Sequence, residues 1–422
     1  MKMLGLADLD FAALVKPGDC VAWGQAGAEA LPLTQALMLQ RAAVGRFSAF
    51  IGATRSGTAD PAFTDYVRFI SYCGAGRNRA LAKAGALTIV PCHYSQLGDL
   101  IRSGRLKIDV LLLQVAPAKG GRFSLSIAHD YVVAAVDAAR VVIVEINDQA
   151  PWTYGERTLD ESDIDVAVVT SRPPAAPQRA VPSDVERAIA GRVAGLIEDG
   201  STLQFGIGTL PEAVLAGLSQ HRDLGVHTGA LVDEAARLAA SGVINNSRKS
   251  IDRGITIAGV MMGGGAVYNY AHDNAAVQFR SVDYTHSQRV LATIERFVAI
   301  NSAIEVDLTG QINSEVAADV YVGAVGGALD FLRGAHGSWG GLPVVALPST
   351  AGSASSPLSR IVARLSGPVS TPRSDAGLII TEHGVADLRG LTLSERSARM
   401  VDIAHPQFRE GLERAGYTHN HA

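Results

Sequence analysis

The sequence predicts an α/β protein made of two related, open α/β units, and three observations predict it. Short β-branched runs alternate with Ala- and Leu-rich stretches of helical length along nearly the whole chain, as in sheets whose strands are joined through helices. Several runs are continuously apolar, such as VLLLQV at 110–115 and RVVIVEI at 140–146, which suits parallel strands covered on both faces. A proline-rich segment, Ser171 to Asp184, separates two halves that echo each other.

In the first half the strand candidates are Cys20–Trp23, Phe47–Ile51, Leu87–Val90, Asp109–Val115 and Val141–Ile146. Between them Leu33–Val44, Arg77–Lys83, Gln96–Arg102 and Tyr131–Ala138 read as helices. The N-terminal stretch MKMLGLADLDFAALVKPGD carries acids inside its apolar run, so it reads as a short amphipathic helix and not as a signal peptide. After the strand-like DVAVVT, the prolines at 173, 174, 177 and 182 forbid a continuing helix or central strand. A helix over Val185–Glu198 follows, capped by Ser183 or Asp184. Further strands are expected at Thr202–Phe205, Gly225–Thr228, Thr256–Ala258, Phe297–Asn301, Val344–Leu347 and Leu378–Thr381. The echo pairs GDCVAWG leading into LPLTQAL with GSTLQFG leading into LPEAVLAGL. Each is a glycine turn, a strand, a glycine-rich crossing and a helix. We place the domains at 1–178 and 179–422.

Composition narrows the function. With 37 basic and 41 acidic residues and a formal net charge of −4, bulk charge does not drive binding to nucleic acid or a membrane surface. No apolar run reaches the ~18 residues that span a bilayer. The three cysteines, Cys20, Cys73 and Cys92, form no CxxC pair, which fits buried thiols in a reducing, cytoplasmic setting. The 11 histidines show no metal-binding spacing, so no metal is assigned. GxSxG, P-loop and GxGxxG signatures are absent.

Several segments can carry chemistry. In FGIGTLPEAV, Phe205 to Val214, glycines lie between a strand and a helix. Backbone can approach a ligand closely there, and the helix start offers free N–H groups to an anion. A second cluster, GAVGGALDF from Gly323 to Phe331, also opens into a helix. Either could equally be a packing turn. Asn301 and Ser302 end a strand, where α/β folds commonly place ligands. Glu382 and His383 follow another strand and suit either acid–base work or a capped turn.

Read together, LQFGIGTLPEAV, LGVHTG, NSRKS, FRSVDYTH, FVAINSAIEVDLTGQ, VGGALDF, ALPSTA and TEHGVADLRG, in this order along the chain, resemble the acetyl-CoA hydrolase/transferase family, which includes 4-hydroxybutyrate and butyrate CoA-transferases. The resemblance implies two CoA-transferase domains of the ribose-phosphate isomerase-like kind, with the active site between them. It makes Gly206, Ile207, Gly208, Thr209 and Leu210 a CoA-binding turn in the second domain and puts Ile304, Gly326 and Gly327 at further CoA contacts. Gly326 and Gly327 would also support an oxyanion.

The family reaction uses a glutamate that forms a mixed anhydride and then a glutamyl-CoA thioester, splitting one hard exchange into easier steps. At the matching position the sequence has Gly229, in Gly225-Val226-His227-Thr228-Gly229. Relatives also carry a lysine just after PSTA, where this chain has Gly352, Ser353, Ala354 and Ser355. Three accounts follow. Another carboxylate, Glu29 or Asp233 or Glu234, has taken over; or water or the acceptor acid attacks directly; or the protein binds acyl-CoA without catalysis. The leading expectation is transfer of CoA from a small acyl-CoA to a carboxylate by a cytoplasmic homodimer, with no cofactor beyond CoA as substrate. Thioester hydrolysis is the alternative. A sugar-phosphate isomerase or a ligand sensor on the same fold is the reading from another class.

Overall fold

A computed structural model describes residues 1–177, 180–353 and 355–419. The expected domain boundary at 178/179, the far end of the chain at 422, and Ala354 lie outside the described residues.

Two large sheets organise the chain. The first runs, edge to edge, Lys2–Met3, Val166–Thr170, Val141–Asn147, Val110–Val115, Cys20–Trp23, Phe47–Ile51, Val67–Ser71, Leu87–Ile89. Every pair in it is parallel. The second runs Gly384–Asp387, Leu378–Thr381, Leu342–Ala346, Phe297–Asn301, Thr202–Phe205, Gly225–Leu231, Thr256–Met261, Val277–Phe279, Tyr154–Gly155. Only the terminal hairpin of this sheet is antiparallel. The echo in the sequence is therefore an echo in topology. In each sheet the first long strand of its half, Cys20–Trp23 or Thr202–Phe205, lies centrally. The next three strands stack on one side of it and the later ones on the other, which makes a switch point beside it. Carboxyl ends of strands at such a point form a crevice.

The apolar strands owe their composition to this burial. All six residues of Val110–Val115 and all seven of Val141–Asn147 are buried. The expectations for Cys20–Trp23, Phe47–Ile51, Thr202–Phe205, Phe297–Asn301 and Leu378–Thr381 match the observed bounds. The N-terminal stretch does not form one amphipathic helix. Lys2–Met3 instead pairs in parallel with Val166 and Ala167 at the sheet edge, Leu6–Asp8 forms a single 3-10 turn, and the α-helix is confined to Phe11–Leu14, capped by Asp10. The helix expected to reach Glu198 runs Asp184–Ala194 and ends at Gly195, with Ser183 and Glu186 capping its start reciprocally. Val67–Ser71 was not expected as a strand; it alternates, with Val67, Phe69 and Ser71 inward and Arg68 outward.

The halves are sewn together. Tyr154–Gly155, from the first half, covers the open edge of the second sheet beside Val277–Phe279. Main-chain hydrogen bonds cross between halves from His129 to Gly259 (2.9 Å), Met261 to Ile127 (2.9 Å), Tyr94 to Gly326 (2.9 Å) and Gly74 to Gly323 (2.8 Å). The largest apolar cluster is continuous across the junction, with Ile127 and Tyr131 of one half and Val260 and Phe279 of the other fully or almost fully buried. Each such side chain contributes roughly 1.5–3 kcal/mol, so the walls of the crevice between the halves are held firmly.

Candidate active site between the halves

The switch points of both sheets open onto one crevice. Gln25 follows the strand Cys20–Trp23, while Gly206 and Ile207 follow Thr202–Phe205. They line a common cavity of about 170 Å³, with Tyr72 and Tyr94 from the first half and Asn301, Gly229 and Gly327 from the second. Pockets that take a whole drug-sized ligand are usually about 300–1,000 Å³, so this one has room for the reacting end of a larger molecule. A second groove of about 380 Å³, lined by Gly208, Thr209, Arg55 and Asp233, shares Ile207 and Met262 with it.

Two helices begin at these walls. Thr209–Ala216 starts after Gly208, whose φ of 117° is glycine's territory. Ala328–Gly337 starts after Gly326 and Gly327, again with a positive φ (56°) at Gly326. The first N–H groups of a helix have no partner within it, and the helix dipole is positive there. Gly326, Gly327 and Ala328 line the cavity, so a carbonyl oxygen that becomes an oxyanion meets ready donors. The loop is tied across the interface, because Ser95 donates through its hydroxyl (2.8 Å) and its N–H (3.2 Å) to Asp330 in the first turn. Burial pushes the Asp330 carboxyl up to about 6.

The polar walls are preorganised. Gln25 is buried and clamped: Tyr72 Oη donates to its Oε1 (2.8 Å), and its Nε2 donates to Tyr94 Oη (2.6 Å) and Asp130 Oδ2 (2.7 Å). Burial raises Asp130 to about 6 and lifts both phenols well above their ordinary range. Gln204 and Asn301 pair through their amides (3.1 and 3.4 Å). Among the described residues no carboxylate, serine, threonine, cysteine or lysine lines the cavity, and apart from the two engaged tyrosines the titratable group there is His286. Its ring packs between Tyr94 (centroids 4.9 Å) and Phe331 (4.5 Å), and burial pushes it down to about 3.

Of the residues expected at the site, Gly206, Ile207, Gly229, Gly326 and Gly327 meet at the cavity, while Gly208 and Thr209 line the adjoining groove. Leu210 is buried in the core. Ile304 lines neither space; its N–H donates to Asn313 and its carbonyl accepts from Arg360 Nε (2.7 Å).

None of the three candidate carboxylates lines the cavity with Gly229. Glu29 is 3% exposed and its Oε1 accepts hydroxyls from Thr34 (2.8 Å), Ser56 (2.9 Å) and Thr58 (2.5 Å); burial raises its pKa. Asp233 accepts main-chain N–H groups of Gly264 and Val267, capping the helix Gly265–Ala271. It faces the groove and not the cavity. Glu234 pairs with Arg237 (2.5 Å). Glu382 and His383 form a capped turn of the terminal hairpin, where Glu382 accepts from Ser349. Gly352, Ser353 and Ser355 belong to an exposed hairpin region.

Sequence reasoning did not single out Gln25, Tyr72, Tyr94, Asp130 or His286. His286 sits inside the FRSVDYTH segment, but a lone histidine beside a four-residue helix carries no spacing signal.

Comparison with known proteins identifies the family. Residues 7–181 match the acetyl-CoA hydrolase/transferase N-terminal domain and residues 263–416 the C-terminal domain of the same name. The chain belongs to the acetyl-CoA hydrolase/transferase family. It is 39% identical over 340 residues to the 4-hydroxybutyrate coenzyme A transferase of Clostridium kluyveri, covering 80% of this chain and 79% of that one. It is 32% identical to the succinyl-CoA:cyclohexane-1-carboxylate CoA transferase of Geobacter metallireducens, covering 96% and 93%. Among solved structures, RipA from Yersinia pestis superposes with a TM-score of 0.93 at 31% identity, covering 99% of this chain and 98% of that one. The 4-hydroxybutyrate CoA-transferase of Porphyromonas gingivalis gives 0.81 at 32% identity, covering 98% and 96%. Among the described residues no helix is long and apolar enough to cross a membrane.

Proposed function

We propose that this family member transfers coenzyme A from a small acyl-CoA to a carboxylic acid, with the thioester carbonyl held in the cavity between the halves. The observation that carries the reading is the cavity itself, walled by glycine main chain at two helix starts and backed by clamped amides. The Gly206–Leu210 turn would guide the pantetheine arm from the groove past Ile207, Gly326 and Gly327 would receive the carbonyl oxygen, and Ile304 would support CoA from outside the cavity. Among the described residues no carboxylate lines the cavity, so the acceptor supplies its own. Its oxygen adds to the thioester carbon and the C–S bond breaks, leaving a mixed anhydride and CoA thiolate. The thiolate then adds to the acceptor's acyl carbon and the first acid departs. The reading needs no cofactor beyond CoA as substrate, and it places the protein in the cytoplasm as a homodimer.

The test is to incubate the protein with acetyl-, butyryl- or succinyl-CoA and a panel of small carboxylic acids, and to follow new thioesters by mass. New acyl-CoA that appears only when acceptor is present supports transfer, and borohydride trapping should then label no protein carboxylate. Tight CoA binding without a new thioester from any pair would leave an acyl-CoA-binding protein. Sedimentation gives the oligomeric state.

A further inference from the structure

We propose that His286 is the catalytic base of acyl-CoA hydrolysis in this same cavity, taking a proton from a water held in the cavity that Gly229 and Gly327 line. The inference rests on the reading that a thioester carbonyl is held there, and adds to the alternative of hydrolysis the residue that would serve it.

Hydrogen bonding assigns the tautomer. Thr285 Oγ1 lies 3.0 Å from the carbonyl oxygen of Ser281 and 2.8 Å from His286 Nδ1. A carbonyl can only accept, so the single hydroxyl proton points to Ser281. Nδ1 must then carry a proton and donate to Thr285, and Nε2 keeps its lone pair. Among the described residues Nε2 has no hydrogen-bond partner, and it is not among the sealed polar atoms that lack one. It lies against Gly229 and Gly327, close enough that a Cβ on either would come within 3.0 or 2.6 Å of it, and both glycines line the cavity. An imidazole held by its Nδ1–H with a free Nε2 toward the reacting centre is arranged for general-base work.

The chemistry of the two nucleophiles separates their needs. A carboxylate acceptor is already anionic and gains nothing from a base. Water must lose a proton as it attacks. The other titratable groups on the wall, Tyr72 and Tyr94, are engaged with Gln25 and Asp130, so His286 is the group that can take that proton. Burial holds the ring neutral, so the lone pair is present throughout the physiological range.

In the step, the water oxygen bonds to the thioester carbon while its proton passes to Nε2. The carbonyl oxygen becomes an oxyanion facing the N–H groups at Gly326 to Ala328, and this negative charge offsets the cost of the new imidazolium. The tetrahedral intermediate collapses, the C–S bond breaks, and the imidazolium returns its proton to the thiolate. One thioester and one water give one carboxylic acid and one CoA thiol.

The experiment uses the whole protein, acetyl-CoA and butyryl-CoA, and 18O-labelled water, without acceptor. Free thiol is measured for wild type, His286→Ala and His286→Gln. In parallel come acceptor-dependent formation of new acyl-CoA, acyl-CoA affinity and thermal melting. The expected result is thiol release with one 18O in the product acid, falling at least roughly 100-fold in both variants, as for loss of a general base. Affinity and melting should hold in at least the glutamine variant, so that the fall in release reads as lost proton transfer and not as lost binding or unfolding. Release in a folded variant within a few-fold of wild type would overturn the assignment. So would a wild type that transfers CoA but releases no thiol without acceptor, leaving the transfer reading intact. Histidine-dependent release without transfer to any acid would do the reverse, and neither activity would sink both.

Discussion

The α-carbon of Gly229 faces the edge of the His286 ring so closely that a Cβ at 229 would lie 2.9 Å from Cε1 and 3.0 Å from Nε2. Gly229 sits within the strand Gly225–Leu231 and His286 just after the helix Val282–Thr285. The absence of a side chain at one position and the presence of the imidazole at the other are a single packing solution.

Gly229→Ala is therefore expected to cost about 1–3 kcal/mol, as overpacking does in a filled interior. Combined with His286→Ser, which vacates the ring's volume, the cost should largely vanish. Urea denaturation of the two single variants and the double variant should give a coupling energy of about 1 kcal/mol or more. Additive costs would mean the two positions do not share space.

Gly327 makes the stronger demand. A Cβ there would come within 2.6 Å of His286 Nε2 and 3.4 Å of Phe331, at the start of the helix that faces the cavity. Gly327→Val should abolish measurable acyl-CoA binding by calorimetry while the far-ultraviolet dichroism stays native. Unchanged affinity would remove this loop from the site.

Asp130 predicts a pH dependence of stability. Its folded value of about 6 stands above the ordinary 3.8 because burial outweighs its hydrogen bonds. The folded state thus holds the proton to higher pH than the unfolded chain. The corresponding stabilisation is full below the unfolded value and lost as pH rises through about 6, a change of about 2–3 kcal/mol. Asp130→Asn cannot ionise, so relative to wild type its melting temperature should be higher at pH 7.5 than at pH 4.5. A constant difference across that range would mean Asp130 titrates normally.

Glu29 supports the fold through three hydroxyls and does not line the cavity. Glu29→Gln keeps an acceptor for those hydroxyls and should leave turnover within about threefold of wild type. Glu29→Ala strands buried donors and should cost about 1–3 kcal/mol. A collapse of turnover in a stable Glu29→Gln protein would make Glu29 the relocated nucleophile after all.

Much of the fold was legible because it is written in local patterns. Val110–Val115 and Val141–Asn147 read as buried strands since both of their faces meet apolar neighbours. The paired glycine crossings after Cys20–Trp23 and Thr202–Phe205 were visible because a strand followed by a turn and a helix leaves a contiguous trace. Lys2–Met3 was misread as helix because an edge strand of two residues has no periodicity, and only its partner at Val166 and Ala167 defines it.

What the sequence determined by itself was the class of fold, the glycine-rich loops and the absence of a carboxylate at 229. What only the tertiary structure decided was which polar groups face that absence. Gln25, Tyr94 and His286 come from three separate stretches and meet across the junction of the halves. Glu29, much closer in sequence to Gln25, turns into a hydroxyl cage instead. Hydrophobic periodicity reports which side of an element is dry, and it is blind to contacts between elements distant in the chain. The cavity is made of such contacts.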